Sequence, residues 1–94
     1  MDKLKVGILG LGRGFTHLRN FLAVEEAEVI GACDRFPIRR ERAEEHITSV
    51  GASTKVLREF DDLLEMNPDA IIVATNGKLQ VAHACQAMEA GCHV

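Results

Sequence analysis

The chain has no tryptophan, no tyrosine and only four phenylalanines, and none of its basic stretches alternates lysine or arginine with aromatic side chains. With a formal net charge of −3 as well, nucleic acid is not an expected partner. No apolar run exceeds the length of a strand, so nothing in the chain reads as a membrane span. Met1-Asp2-Lys3 leads straight into the first apolar run, which leaves no room for a signal peptide. The three cysteines, Cys33, Cys85 and Cys92, are odd in number and lack a Cys-x-x-Cys spacing. They predict reduced thiols in a cytoplasmic protein rather than a disulfide framework. His17, His46, His83 and His93 share no close ligand spacing, so no metal site is expected, and His17 and His83 read as helix-surface residues. Internal repeats, low-complexity tracts and linkers are also missing. What is there, 94 residues with 47% hydrophobic and 27% charged side chains, is ordinary for one small globular domain.

Four strand-like runs alternate with four helix-like ones. That order predicts an α/β fold, a doubly wound parallel sheet of Rossmann type, with strand order 3-2-1-4 and a stub of a fifth strand. The predicted strands are Leu4 to Leu9, Glu28 to Cys33, Lys55 to Leu57 and the continuously apolar Ala70 to Ala74. The first helix begins near Gly14, with Phe15, Leu18 and Leu22 on one face. The second begins at Pro37, whose missing N–H is harmless in a first turn, and turns Ala43 and Ile47 inward. Its Arg39 to Glu45 stretch reads as a solvated face. A brief third helix, capped by Asp61, points Phe60, Leu63 and Leu64 inward, and Asn67-Pro68-Asp69 stops it. The fourth runs from Lys78 to Ala90, with Val81, Cys85 and Met88 on its apolar stripe and Gly91 as a left-handed stop. Cys92-His93-Val94 begins another strand.

The most informative segment is Lys5 to Gly14, an apolar strand that breaks into a glycine-dense turn and then a helix. Gly10 permits a tight turn, and Gly12 leaves no Cβ between the main chain and a pyrophosphate. The helix start directs unpaired N–H groups and its positive dipole end at the phosphates. The alternative is a strand-to-helix turn with no ligand. Asp34 lies 22 residues beyond Gly12, at the tip of the second strand, where a carboxylate accepts ribose hydroxyls; otherwise it caps the helix that starts at Pro37. An acid there repels a 2′-phosphate and favours NAD, while Arg35, Arg39 and Arg40 are near enough to clamp that phosphate in NADP. Arg13 either leans over the pyrophosphate or is simply exposed. Ala74, Thr75 and Asn76 end the fourth strand at the carboxyl edge, where open α/β sheets bind ligands. Gly7 and Gly31, inside strands, read as close-packing positions.

The order of segments resembles the N-terminal domain of the glucose–fructose oxidoreductase / inositol dehydrogenase (Gfo/Idh/MocA) family, from Lys5 to Val94. The most specific stretches are Val6-Gly7-Ile8-Leu9-Gly10-Leu11-Gly12, Gly31-Ala32-Cys33-Asp34-Arg35, Phe60-Asp61-Asp62-Leu63-Leu64 and Asn67 to Thr75. Ala87 to Val94 is similar to the family's helix end and the start of its next strand. The resemblance implies a dinucleotide-binding domain spanning residues 1–94, incomplete at its C-terminal end and without a substrate domain. Its cofactor is NAD or NADP. In a full-length parent it implies oxidation or reduction of a sugar or cyclitol hydroxyl, generally in a homo-oligomer. Leu11 and Phe15 join Gly10, Gly12, Arg13 and Gly14 as expected cofactor contacts, with no catalytic residue in this segment.

Three departures stand out. The third glycine of Gly-x-Gly-x-x-Gly falls at Phe15, with Gly14 one position early. Asn76-Gly77 and Gln80 replace the family's usual Pro-Asn and later His. The Glu-Lys-Pro segment, whose lysine serves proton chemistry, would follow Val94, so this chain alone is not expected to turn over. Two other classes remain: a non-catalytic NAD(H)-sensing module, and a methyltransferase-like fold binding S-adenosylmethionine. The latter usually has an acid where Ile8 stands.

Overall fold

The computed structural model describes residues 3–94, apart from the side chain of Lys78. Its elements run β1 (Leu4–Leu9), α1 (Gly14–Leu22), β2 (Ala27–Cys33), α2 (Pro37–Ser49), β3 (Lys55–Leu57), α3 (Phe60–Glu65), β4 (Ala70–Val73) and α4 (Gly77–Glu89). The strands pair in parallel in the order β3-β2-β1-β4, as the alternation of runs predicts. The Met1-Asp2 lead-in to β1 lies outside the described residues.

Strand alternation divides the core in two. Val6 and Ile8 of β1 face Leu18 of α1 and Ala43 and Ile47 of α2. Leu9, Cys33 and Ile71 face Leu63 of α3 and Ala87 of α4. Phe15 and Leu22 of α1, and Phe60 and Leu64 of α3, pack against these two cores from their edges. Pairing of β1 with β2 passes from Val6↔Val29 to Gly7↔Gly31, skipping Ile30. That irregularity sets two glycines side by side under Leu63. A Cβ on Gly7 would lie 3.0 Å from a Leu63 methyl, and one on Gly31 would lie 2.6 Å from it. Leu63 is fully buried in this seat, a burial that stabilises by about 1.5–3 kcal/mol.

The structure corrects several local expectations. Asp61 does not cap α3: the N-cap is Glu59, with no side-chain cap bond. Asp61 instead lies in the first turn and accepts a hydrogen bond from Gln86 Nε2 at 2.9 Å, tying α3 to α4. Asn67 ends α3 with a left-handed φ of 56° rather than the extended conformation usual before proline. The apolar stripe of α4 points away from the sheet, with Val81 69% and Met88 56% exposed and Cys85 exposed too. Among the described residues of α4, the small Ala87 is the one that is fully buried, in the cluster with Leu63 of α3 and Ile71 of β4. Gly91 ends the helix at φ +88°, as expected. Beyond it His93 bridges Ala70 in parallel, the beginning of a fifth strand.

Candidate functional site

At the carboxyl end of β1 the chain must turn sharply, because only four residues separate Leu9 from the start of α1 at Gly14. Gly10 makes that turn at φ +94°, and a Cβ there would lie 2.7 Å from the Ala74 carbonyl oxygen. Gly14 is fitted more closely than spacing alone implies. A Cβ on it would meet the Ala74 Cβ at 3.1 Å and an Ile8 methyl at 3.2 Å. Gly14 therefore does the close helix-to-strand packing expected of the third motif glycine. Phe15, which holds that motif position, is turned aside. Its ring packs edge-on against His46 at 5.9 Å and lies beneath the Arg42 guanidinium at 4.1 Å.

Arg42 also donates to the Leu11 carbonyl at 2.8 Å. It is thus a fastener of the glycine turn and not only part of a solvated face. The N-cap of α1, Arg13, has helical dihedrals and makes no side-chain cap bond. Among the described residues, the N–H groups of Gly12, Arg13 and Gly14 have no hydrogen-bond partner. A helix start leaves such donors free for an anion.

Asp34 is 6% exposed and stands directly beside this turn. The Leu11 N–H donates to its Oδ2 at 2.8 Å, and the Phe36 N–H donates to its Oδ1 at 2.8 Å. It does not cap α2, whose N-cap Phe36 has no side-chain cap bond. Each carboxylate oxygen retains further acceptor capacity for a hydroxyl. Arg39 Nη1 approaches Oδ2 at 3.5 Å, and its guanidinium lies 4.8 Å over the Phe36 ring. The same guanidinium lies 3.2 Å from where a Cβ on Gly12 would stand. Arg35 faces Phe36 at 5.8 Å, whereas Arg40 Nη1 donates to the Asp34 carbonyl at 3.0 Å and its side chain does not line the cleft between the turn and the end of β4.

The turn, Asp34 and the end of β4 line one cleft of about 450 Å³, within the range of small-molecule sites. Gly10, Gly12, Arg13, Asp34, Arg35 and Arg39 form one part of its wall, and Ala74, Thr75 and Asn76 another. Leu11 and Phe15, by contrast, face the core side of α1. Sequence reasoning missed a third wall made by Phe36, Arg58, Phe60, Leu79 and His83. His83 is half-buried and not a helix-surface residue, with Nδ1 3.0 Å from Thr75 Oγ1 and its ring edge-on to Phe60 at 5.2 Å. Its one signal in the sequence was its place two turns into the helix after Thr75. Gln80, in the preceding turn, donates to the Val73 carbonyl at 3.3 Å. Cys33 lies beneath the cleft, its thiol pushed up to about 12 by burial and then by neighbouring carboxylates, Asp34 foremost. Burial also raises the Cys92 thiol. Among the described residues no His, Cys, Asp or Glu cluster is suited to a metal ion, and no helix is long and apolar enough to cross a membrane.

Comparison with known proteins agrees with this fold. The glycosyl hydrolase family 109 protein 2 of Akkermansia muciniphila is 27% identical over 100 residues, which cover 99% of this chain and 21% of that protein. The chain thus spans about a fifth of the length of the curated relatives it matches. The NAD(H)- and scyllo-inositol-bound scyllo-inositol dehydrogenase of Lactobacillus casei superposes with a TM-score of 0.83 at 27% identity, over 99% of this chain and 27% of that one. The WlbA dehydrogenase of Bordetella pertussis, in complex with NADH and UDP-GlcNAcA, gives 0.80 at 28% identity, over 99% and 26%. Residues 4–94 match the Gfo/Idh/MocA family model, described as an oxidoreductase family with an NAD-binding Rossmann fold, and the chain belongs to that family.

Proposed function

We propose that this chain holds a dinucleotide, NAD in preference to NADP, as the cofactor domain of an oxidoreductase acting on a sugar or cyclitol hydroxyl. The observation that carries the reading is the row of unpartnered N–H groups at Gly12, Arg13 and Gly14 beside the buried Asp34 carboxylate. The diphosphate lies against the turn, where Gly12 presents no Cβ, and Asp34 accepts the adenosine ribose hydroxyls. Arg39 has to swing off Gly12 to admit the ribose, and it is exposed enough to do so. The bound cofactor supplies hydride transfer; the chain's own contribution is binding and orientation.

In a full-length parent the proton-transferring lysine and the substrate contacts come from outside this cofactor domain. A cytoplasmic homo-oligomer fits the reading. The hydrolase name of the Akkermansia relative favours a second version, in which the same bound dinucleotide serves cleavage of a glycosidic bond. Release of free sugar without net NADH accumulation by the longer protein would distinguish it.

Thermal unfolding of the chain with NAD, NADP and S-adenosylmethionine tests the core reading. Ligand at a hundred times its Kd adds about 2.7 kcal/mol, visible as a shift of several degrees in a domain this small. NAD is expected to give the largest shift. A shift with the methyl donor alone, or none with either dinucleotide, overturns the assignment.

A further inference from the structure

We propose that His83, held by Thr75 and Phe60, reads the base of a bound adenine nucleotide and is a specificity-determining residue of the site. The inference rests on the dinucleotide reading above and assigns the part of the cleft which that reading leaves open. A nucleotide is linear in chemistry: phosphate, ribose, base. With phosphate at the glycine turn and ribose at Asp34, the base has to enter the remaining wall of the same cleft.

That wall has the right chemistry. Phe36 and Leu79 are large apolar side chains left 48% and 44% exposed at its rim. A flat ring system covers such surfaces well, since aromatic faces stack on apolar ones. The same wall also carries a polar group. His83 Nδ1 lies 3.0 Å from the Thr75 hydroxyl, which fixes the direction of the ring. Phe60, edge-on at 5.2 Å and 73°, braces it from α3. Among the described residues, Nε2 has no partner and is the ring nitrogen left for the edge of a base. The Thr75 hydroxyl can donate or accept, so the imidazole suits either an amino group or a ring nitrogen of adenine.

The test follows the His83 ring resonances by NMR while the 94-residue chain is titrated with ADP and, separately, with inorganic pyrophosphate. ADP is expected to move the His83 signals; pyrophosphate, which reaches only the turn, is expected to leave them in place. His83→Ala is expected to weaken ADP about fivefold, the net value of one hydrogen bond, with pyrophosphate affinity unchanged and partial recovery in His83→Asn. Still His83 signals under saturating ADP, or equal loss for both ligands in His83→Ala, overturn the assignment and leave the dinucleotide reading standing. A wild-type chain that binds neither ligand overturns both.

Discussion

Gly10 concentrates the constraints of the turn in one residue: a left-handed φ of +94° and a backbone oxygen 2.7 Å from any added Cβ. Gly10→Ala is expected to lower stability by about 1–3 kcal/mol in urea denaturation and to abolish nucleotide binding, because the turn has to open to relieve the contact. Gly51, also at positive φ but with nothing within 4 Å, would show only the backbone part of that effect. Cys33 makes a different prediction. Its thiol is pushed up to about 12 from 9.0, so the folded chain holds that proton over a range where the unfolded chain has lost it. Its contribution to stability is therefore full below pH 9 and declines as pH rises from 9 towards 12. At pH 8 a thiol reagent is expected to modify exposed Cys85 and to reach Cys33 only after denaturant is added. Equal labelling of the two in the native chain contradicts the burial.

Elements carry the next set of consequences. Arg42 belongs to α2 yet secures the start of α1, by its bond to the Leu11 carbonyl and by covering Phe15. Arg42→Ala is expected to cost about 1–2 kcal/mol in chemical denaturation, since it removes a charged hydrogen bond and a cation–π contact together. Arg42→Lys, which keeps the charge without the planar stack, is expected to recover only part. In α4 the outward stripe leads to an inverted expectation for an apolar face. Val81→Gln and Met88→Gln are expected to change stability by less than about 0.5 kcal/mol, as surface substitutions do. Ala87→Leu, at the buried contact with β4, is expected to cost about 1–3 kcal/mol by overpacking. A reversed order in melting experiments would mean that Val81 and Met88, and not Ala87, face the sheet.

Over the whole molecule, the open side of β4 is the notable boundary. His93 bridges Ala70, and the Gln80 amide reaches the Val73 carbonyl, but no full strand lies alongside Ile71–Val73 among the described residues. An apolar parallel edge of this kind pairs readily with another copy. The isolated chain is expected to associate through this side, with a sedimentation coefficient that rises with concentration. Substituting Ile72 with lysine should reduce that association more than Val81→Lys on the outer face of α4. A strictly monomeric chain at high concentration would show that the stub and Gln80 close the edge sufficiently.

Period, spacing and turn chemistry determined the order of elements, the parallel sheet and the pairing of a glycine turn with an acid, because each depends on residues near one another in the chain. Gly10 and Asp34 were legible for that reason. Which way α4 faces, what holds Phe15 aside and how His83 comes to line the cleft were settled only in three dimensions. Ala87, Arg42 and Thr75 are chosen by packing partners on other elements. The short repeat of a helix cannot tell which of two possible stripes a sheet and a neighbouring helix will leave room for.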